Sequence, residues 1–296
     1  MTLSPDVTAA YLARLGLADL AAAPPSIDAL FRIHQRHVER IPWETLWIHE
    51  GHSWGLDPSA SAARIAATGR GGYCFHLNGA LAALLDALGY SVALHVGGVH
   101  GPEGPSVEWL TNHLVLGVAG LESEACPDGL WYVDAGLGDA MHDPMPWVAG
   151  PVDAPPLRLA LEAVDADGVG DWHLVHDTRG DFSGMSFVAA PTGMDAFAER
   201  HAWLSTAPES GFVKYLCVQR RTASTTEGVR GLVHRVVSSS GTAVSIIEDQ
   251  ADWFALLADA FGVTPTASPS DLTAMWSRVA SAHEAWVTSD GYVPPT

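Results

Sequence analysis

Apolar residues in the first third of the chain return at spacings of three and four. Ser4-Pro5-Asp6 has the form of a helix start, and Tyr11, Leu12 and Leu15 give the segment behind it an apolar face. Pro24-Pro25-Ser26 ends that segment and opens a second, with Ile27, Leu30, Phe31, His34 and Val38 on one side and Pro42 as its stop. Asp57-Pro58 opens an alanine-rich helix running to Ala67. Beyond it Leu81, Leu84, Leu85 and Leu88 form another helical face, closed by Gly89. The spacing predicts a mostly helical region over residues 1–88.

After Gly89 the pattern changes. Ser91 to Val99, Leu114 to Val118 and Leu130 to Val133 read as strands, and Leu157 to Val164 and Trp172 to Val175 alternate in part. Glycine and proline punctuate the gaps, so residues 89–192 read as an antiparallel sheet or barrel. The last third mixes types. Met194 to Trp203 reads as a helix, then Phe212 to Gln219, Val229 to Val237 and Thr242 to Ile247 as strands. Trp253 to Phe261 and Leu272 to Trp286 read as amphipathic helices, and Thr222 to Thr226 as a low-complexity linker. The expected class is α+β in three parts, over 1–88, 89–192 and 193–296.

Composition narrows the picture. The 296 residues are 48% hydrophobic and 17% charged, which is globular. No apolar run reaches the roughly 18–20 residues that cross a bilayer. Met1 to Asp6 has no basic start and no apolar core, so no export signal is read there. Three cysteines, Cys74, Cys126 and Cys217, are sparse and without CxxC spacing. A disulfide scaffold or cysteine-based metal site is not expected, and a reducing cytoplasm is. The formal net charge of −19 argues against a nucleic-acid or anionic-membrane surface.

The chemistry gathers around Arg70-Gly71-Gly72-Tyr73-Cys74-Phe75-His76. Glycines feed an apolar helix, placing Cys74 at its first turn, where free N–H groups and the helix dipole favour a thiolate. The same pattern also describes an inert buried cysteine. A cysteine nucleophile needs a base, and the base an orienting acceptor. His113 opens the strand Leu114 to Val118, and Asp134 closes Leu130 to Val133 ahead of Ala135-Gly136-Leu137-Gly138. If those strands are neighbours, the two side chains can meet; the spacing leaves open a solvated histidine and a turn-capping aspartate. His76, two residues beyond Cys74, does not share its helix face. Arg70 either binds an anion or pairs with a carboxylate such as Glu44. Cys126, in the polar loop Glu122 to Asp128, is expected exposed, and Cys217, within an apolar strand, in the core. No His/Asp/Glu cluster has metal spacing.

The order Arg-Gly-Gly-x-Cys, His before an apolar strand, and Val-Asp-Ala-Gly-x-Gly resembles the arylamine N-acetyltransferase family. Ile41-Pro42-Trp43-Glu44-Thr45-Leu46 is similar to that family's Ile-Pro-Phe-Glu-Asn-Leu. Ser205 to Phe212 is similar to its Ser/Thr-x-Pro-x-Ser-x-Phe segment, and the likeness spans residues 5 to 290. The resemblance implies a helical bundle, a central antiparallel β-barrel and a C-terminal α/β lid. It implies ping-pong acyl transfer: Cys74 takes an acetyl group from acetyl-CoA as a thioester, with His113 as base and Asp134 as orienter, and an arylamine or hydrazine nitrogen attacks. It further implies an oxyanion held by the N–H groups of Cys74 and Asn112, substrate or cofactor contacts at Trp43, Leu137, Gly138, Ser210 and Phe212, and a structural Arg70–Glu44 pair. Acetyl-CoA enters as co-substrate, with no permanently bound cofactor and no metal.

Four positions depart from the family pattern. Trp43 replaces a phenylalanine of the acceptor pocket and Leu137 the phenylalanine between two glycines. His76 stands where Glu or Gln is usual, and Asn112 where Thr precedes the histidine. They imply a reshaped pocket. Two rival readings follow: an amide synthase joining a larger polyketide-type chain delivered on the pantetheine arm of an acyl carrier protein, and a Cys-His-Asp hydrolase.

Overall fold

The computed structural model describes residues 3–165 and 168–288. Met1 and Thr2 of the signal reading, and residues 289–296 of the expected lid, lie outside them.

The N-terminal region holds five helices: α1 (Pro5–Leu15), α2 (Ile27–Arg40), α3 (Leu46–His49), α4 (Pro58–Thr68) and α5 (Cys74–Ala87). Their starts follow side-chain chemistry. Ser4 and Ser26 accept from the N–H groups of Val7 and Ala29, and Asp57 from that of Ser59. Helix α5 is buried on every side from Cys74 to Leu85, as a helix apolar all round must be. It ends as expected, with Gly89 at φ +88°.

A two-residue strand, β1 (Trp43–Glu44), interrupts the helices. Eight strands follow: β2 (Ser91–His100), β3 (His113–Ala119), β4 (Trp131–Val133), β5 (Met145–Pro146), β6 (Gly150–Ala154), β7 (Leu157–Ala163), β8 (Trp172–Val175) and β9 (Gly184–Thr192). They form one antiparallel sheet in the order β5-β4-β3-β2-β9-β8-β7-β6. Its edge strands β5 and β6 are consecutive in the chain with three residues between them, so the sheet curls almost into a barrel. Tyr132, Trp147, Leu161, Met185 and Phe187 fill its interior.

The last third contains α6 (Ala198–Thr206), α7 (Gly211–Lys214), β10 (Cys217–Arg221), β11 (Thr225–Arg230), β12 (Val233–Ser238), β13 (Gly241–Ile246), α8 (Gln250–Phe261) and α9 (Pro269–Val287). Its five-stranded sheet, β1-β10-β11-β12-β13, takes its first strand from the N-terminal region. Trp253, Leu257 and Phe261 of α8 and Met275 and Val279 of α9 pack against Val218 and Val229 of the sheet. The class is α+β, with N-terminal helices, an antiparallel barrel-like sheet and C-terminal helices.

Three segments differ from their sequence reading. The start of the expected strand Phe212–Gln219 is the short helix α7, because Ser210 Oγ accepts the Phe212 N–H at 3.2 Å and turns the chain. The expected strand Val229–Val237 is a hairpin whose two-residue loop begins at Gly231, φ +59°. Thr222 to Thr226 is the turn of another hairpin, stitched by the Thr222 and Thr225 hydroxyls at 2.7 Å.

Candidate active site

The glycine turn ahead of α5 is anchored before the helix begins. Gly72 adopts φ +81° and its carbonyl accepts the Glu44 N–H at 2.9 Å. The Glu44 carboxylate, fully buried, receives Arg70 Nε at 3.0 Å and Nη2 at 3.2 Å, and Nη2 also donates to Glu50 at 3.0 Å. Arg70 therefore has a two-carboxylate partner and none of its charge faces a ligand. This clamp delivers Cys74 to the first position of α5, with Tyr73 as N-cap. The Cys74 N–H is one of the groups a helix start leaves without an internal acceptor.

His113 and Asp134 meet. Strands β3 and β4 are neighbours in register, Leu116 opposite Val133, and His113 Nε2 donates to Asp134 Oδ2 at 2.7 Å. The Asp134 carboxylate also accepts from Tyr132 Oη at 2.8 Å, Asn78 Nδ2 at 2.7 Å and the Gly136 N–H at 2.8 Å. Burial opposes the charged form of both partners. The mutual attraction and hydrogen bond win, raising His113 to about 10 and lowering Asp134, which Asn78 and Tyr132 also favour as the anion. Cys74 lies near enough to the His113 ring to favour its charged form alongside Asp134, and both line one cavity. Gly136 permits this convergence: a Cβ there would stand 2.8 Å from the Cys74 Cα.

Asn112 behaves differently from its sequence reading. Its N–H donates to the Trp109 carbonyl at 3.0 Å and cannot serve an oxyanion. Its own carbonyl faces the nucleophile and accepts from Cys74 Sγ at 3.7 Å. The Thr111 φ of +78° turns the peptide this way, which a sequence does not display.

Cys74 and His113 open into a cavity of about 580 Å³ between the helices, the barrel and the C-terminal sheet. Trp43 and Phe212, ring centroids 5.2 Å apart and edge to face, give it an apolar lining together with Leu204 and Leu137. His283 and Trp286 of α9 close another side. Its polar lining includes Asp139, Asp181, Gln219, Arg230 and Arg235. Asp181, its side chain 45% exposed, pairs with Arg235 at 3.3 Å, and the neighbouring Asp139 charge opposes its ionisation.

Ser210 and Gly138 are not in the cavity wall. Ser210 is fully buried, its hydroxyl spent on the Leu204 carbonyl at 2.7 Å and the Phe212 N–H. Gly138 is covered by the Gln219 amide. Cys126 is buried and donates to the Leu130 carbonyl at 3.0 Å, because its loop folds back over β4. Cys217 is half-buried and lines the cavity instead of the core. Asn78 escaped the sequence reading, although a lone amide one turn beyond Cys74 in an otherwise apolar helix was the available signal. Among the described residues no three His, Cys, Asp or Glu side chains are grouped to hold a metal, and no helix is long and apolar enough to cross a membrane.

A family model described as N-acetyltransferase matches residues 26–268. The chain is 30% identical over 230 residues to the pineal-gland arylamine N-acetyltransferase isozyme of Gallus gallus, covering 71% of this chain and 75% of that one. It is 28% identical over 263 residues to the arylamine N-acetyltransferase of Mycolicibacterium smegmatis, covering 86% and 90%. The solved arylamine N-acetyltransferase of M. tuberculosis superposes with a TM-score of 0.78 at 26% identity, covering 91% of this chain and 98% of that one.

Proposed function

The chain belongs to the arylamine N-acetyltransferase family, and on that premise we propose that it carries an acetyl group from acetyl-CoA, through a Cys74 thioester, to an arylamine or hydrazine nitrogen. Acetyl-CoA is a co-substrate of this family of transferases and leaves as free CoA. The observation that carries the reading is a helix-terminal thiol sharing one cavity with a histidine held at 2.7 Å by a buried carboxylate.

The thiol proton rests on His113, whose charged form Asp134 favours, and the Cys74 sulfur attacks the acetyl carbon of the donor. The charge that develops on oxygen lies beside the Cys74 N–H and the positive end of α5. The carbon–sulfur bond to CoA then breaks, and His113 returns a proton to the leaving sulfur. Asp134 holds the ring in one tautomer and stabilises its charged form. The thioester stays activated toward nitrogen, and amine attack repeats the sequence with Cys74 as leaving group. Trp43 and Phe212 offer the acceptor a flat apolar wall. The enzyme is assigned to the cytoplasm, where three free thiols persist.

Leu137, smaller than an aromatic ring, favours a second reading in which a longer acyl chain arrives on a pantetheine arm. Intact mass after incubation with acetyl-CoA decides between them, with Cys74→Ala as control. A single acetyl adduct on the wild type alone, discharged by an arylamine, is expected. Labelling only by a longer pantetheine thioester would favour the second reading, and turnover retained by Cys74→Ala would sink both.

A further inference from the structure

We propose that the main-chain carbonyl of Asn112 accepts an N–H of the attacking amine, and that the Asn112 carboxamide holds that carbonyl at the nucleophile. The inference rests on the acyl-enzyme reading above and assigns a further group to its second half.

Strands β2 and β3 pair without interruption from Ser91 opposite Ala119 to Gly97 opposite His113. Beyond that point β3 has ended, yet Val99 still presents an N–H and a carbonyl where a further rung would form. The Asn112 side chain supplies it: Nδ2 donates to the Val99 carbonyl at 2.9 Å, and Oδ1 accepts the Val99 N–H at 2.8 Å. A two-point bond of this kind fixes the residue in both position and rotation. The turn is held from two further sides. The Asn112 N–H is tied to Trp109, and the turn packs on Gly98, where a Cβ would come 2.8 Å from the Trp109 main chain. Thr111, β-branched and at φ +78°, sits in a strained conformation that persists only under such restraint. All of this fixes one group, a carbonyl oxygen 3.7 Å from Cys74 Sγ in the wall of the cavity.

When Cys74 carries its proton, Sγ donates to that oxygen. Once Cys74 is acetylated, the sulfur has no proton to give, and the oxygen faces the thioester without a donor. A primary amine restores one. Its lone pair attacks the acyl carbon, the carbonyl π pair moves to oxygen, and the carbon–sulfur bond then breaks to return the thiolate. Of the two amine hydrogens, one passes to His113 and the other remains in the product amide. The retained N–H is the one Asn112 accepts, and the bond tightens as nitrogen gains positive charge in the transition state. A secondary amine has a single hydrogen, which His113 takes. The site thereby selects primary amines and terminal hydrazine nitrogens.

Single-turnover kinetics test this with acetyl-CoA as donor and aniline or N-methylaniline as acceptor. Acylation is read from CoA release, and discharge from loss of the acetyl adduct by mass. Wild type is expected to discharge to aniline at least about tenfold faster than to N-methylaniline after correction for their rates with a free thioester. Asn112→Ala is expected to slow discharge to aniline about tenfold more than it slows acylation, and to bring the two amines close together. Equal slowing of both halves, or an unchanged preference, would overturn the inference while leaving the acyl-enzyme standing. If Asn112→Ala does not fold, equal corrected rates for the two amines on wild type overturn it alone. Absence of any adduct on wild type would overturn the acyl-enzyme reading, and this inference with it.

Discussion

Asn78 donates to Asp134 at 2.7 Å across the boundary between helix α5 and the barrel. The same Nδ2 donates to the Leu114 carbonyl at 2.6 Å, and Oδ1 accepts the Ala135 N–H at 2.9 Å. Asn78 lies one helical turn beyond Cys74. One buried amide thus joins the helix of the nucleophile, the strand of His113 and the loop of the acid, and sets their mutual distances without facing the cavity.

Asn78→Leu preserves volume and removes all three bonds. It leaves a carboxylate, a carbonyl and an N–H short of partners in a buried place, at about 1–3 kcal/mol for each unsatisfied group. The expected outcome is a lower melting temperature together with slower alkylation of Cys74 by iodoacetamide. A melting point that falls with the alkylation rate unchanged would confine Asn78 to stability.

Asp134→Asn tests the orienter. The amide can donate to His113 where the carboxylate accepts, which favours the wrong tautomer and removes the charge that keeps the ring protonated. Acetyl-adduct formation is expected to slow by several orders of magnitude, with far-ultraviolet circular dichroism unchanged. Alkylation of Cys74 at the wild-type rate would contradict an activating role for the pair.

The helix of Cys74 was legible because local signals agree there: glycines before it, leucines at spacings of three and four, and a glycine after it. The meeting of His113 and Asp134 was legible only as a possibility, since strand neighbours are decided by pairing and not by pattern. Strand β9 went unread because Ala189, Ala190 and Pro191 give it little intrinsic preference, yet it pairs with β2 along most of its length. The Val233 hairpin was hidden because a loop of two residues barely interrupts an apolar run. At the site, the direction of the Asn112 peptide hangs on one backbone dihedral at Thr111, and Ser210 resembled a ligand contact while its hydroxyl serves the turn into α7.

Arg221 shows how the C-terminal sheet is fastened to the barrel. Its side chain is almost fully buried, and its guanidinium donates to the carbonyls of Ala140, Ala154, Pro155, Thr222 and Thr225 without touching a carboxylate. Arg221→Met keeps the length and strips the donors from five carbonyls. It is expected to destabilise by about 2–5 kcal/mol and to raise the KM for the acceptor more than it lowers the rate of acylation, because β10 carries Cys217 and Gln219 of the cavity wall. Thermal melts with half-reaction kinetics check both parts; a stability unchanged within error would show the carbonyls equally well served by water.

The buried pair also shapes stability against pH. His113 titrates at about 10 when folded against an ordinary value of 6.5, so the folded chain binds its proton more tightly. That contribution is complete below pH 6.5 and is lost as pH rises through 10. His142, raised by its carboxylate partners Asp143 and Glu39 against the cost of burial, adds in the same direction. His37 is the opposite case: burial, with repulsion from His34, lowers it to about 3, so its contribution is present above pH 6.5 and is lost as pH falls toward 3. Stability is therefore expected to peak near pH 6.5 and to decline on both sides. In Asp134→Asn the alkaline decline should flatten, because His113 loses the charge that raised it, while the acid limb governed by His37 stays. Melting temperatures of both proteins from pH 5 to 10 decide the matter, and parallel alkaline limbs would show that the His113–Asp134 pair is not the linked group.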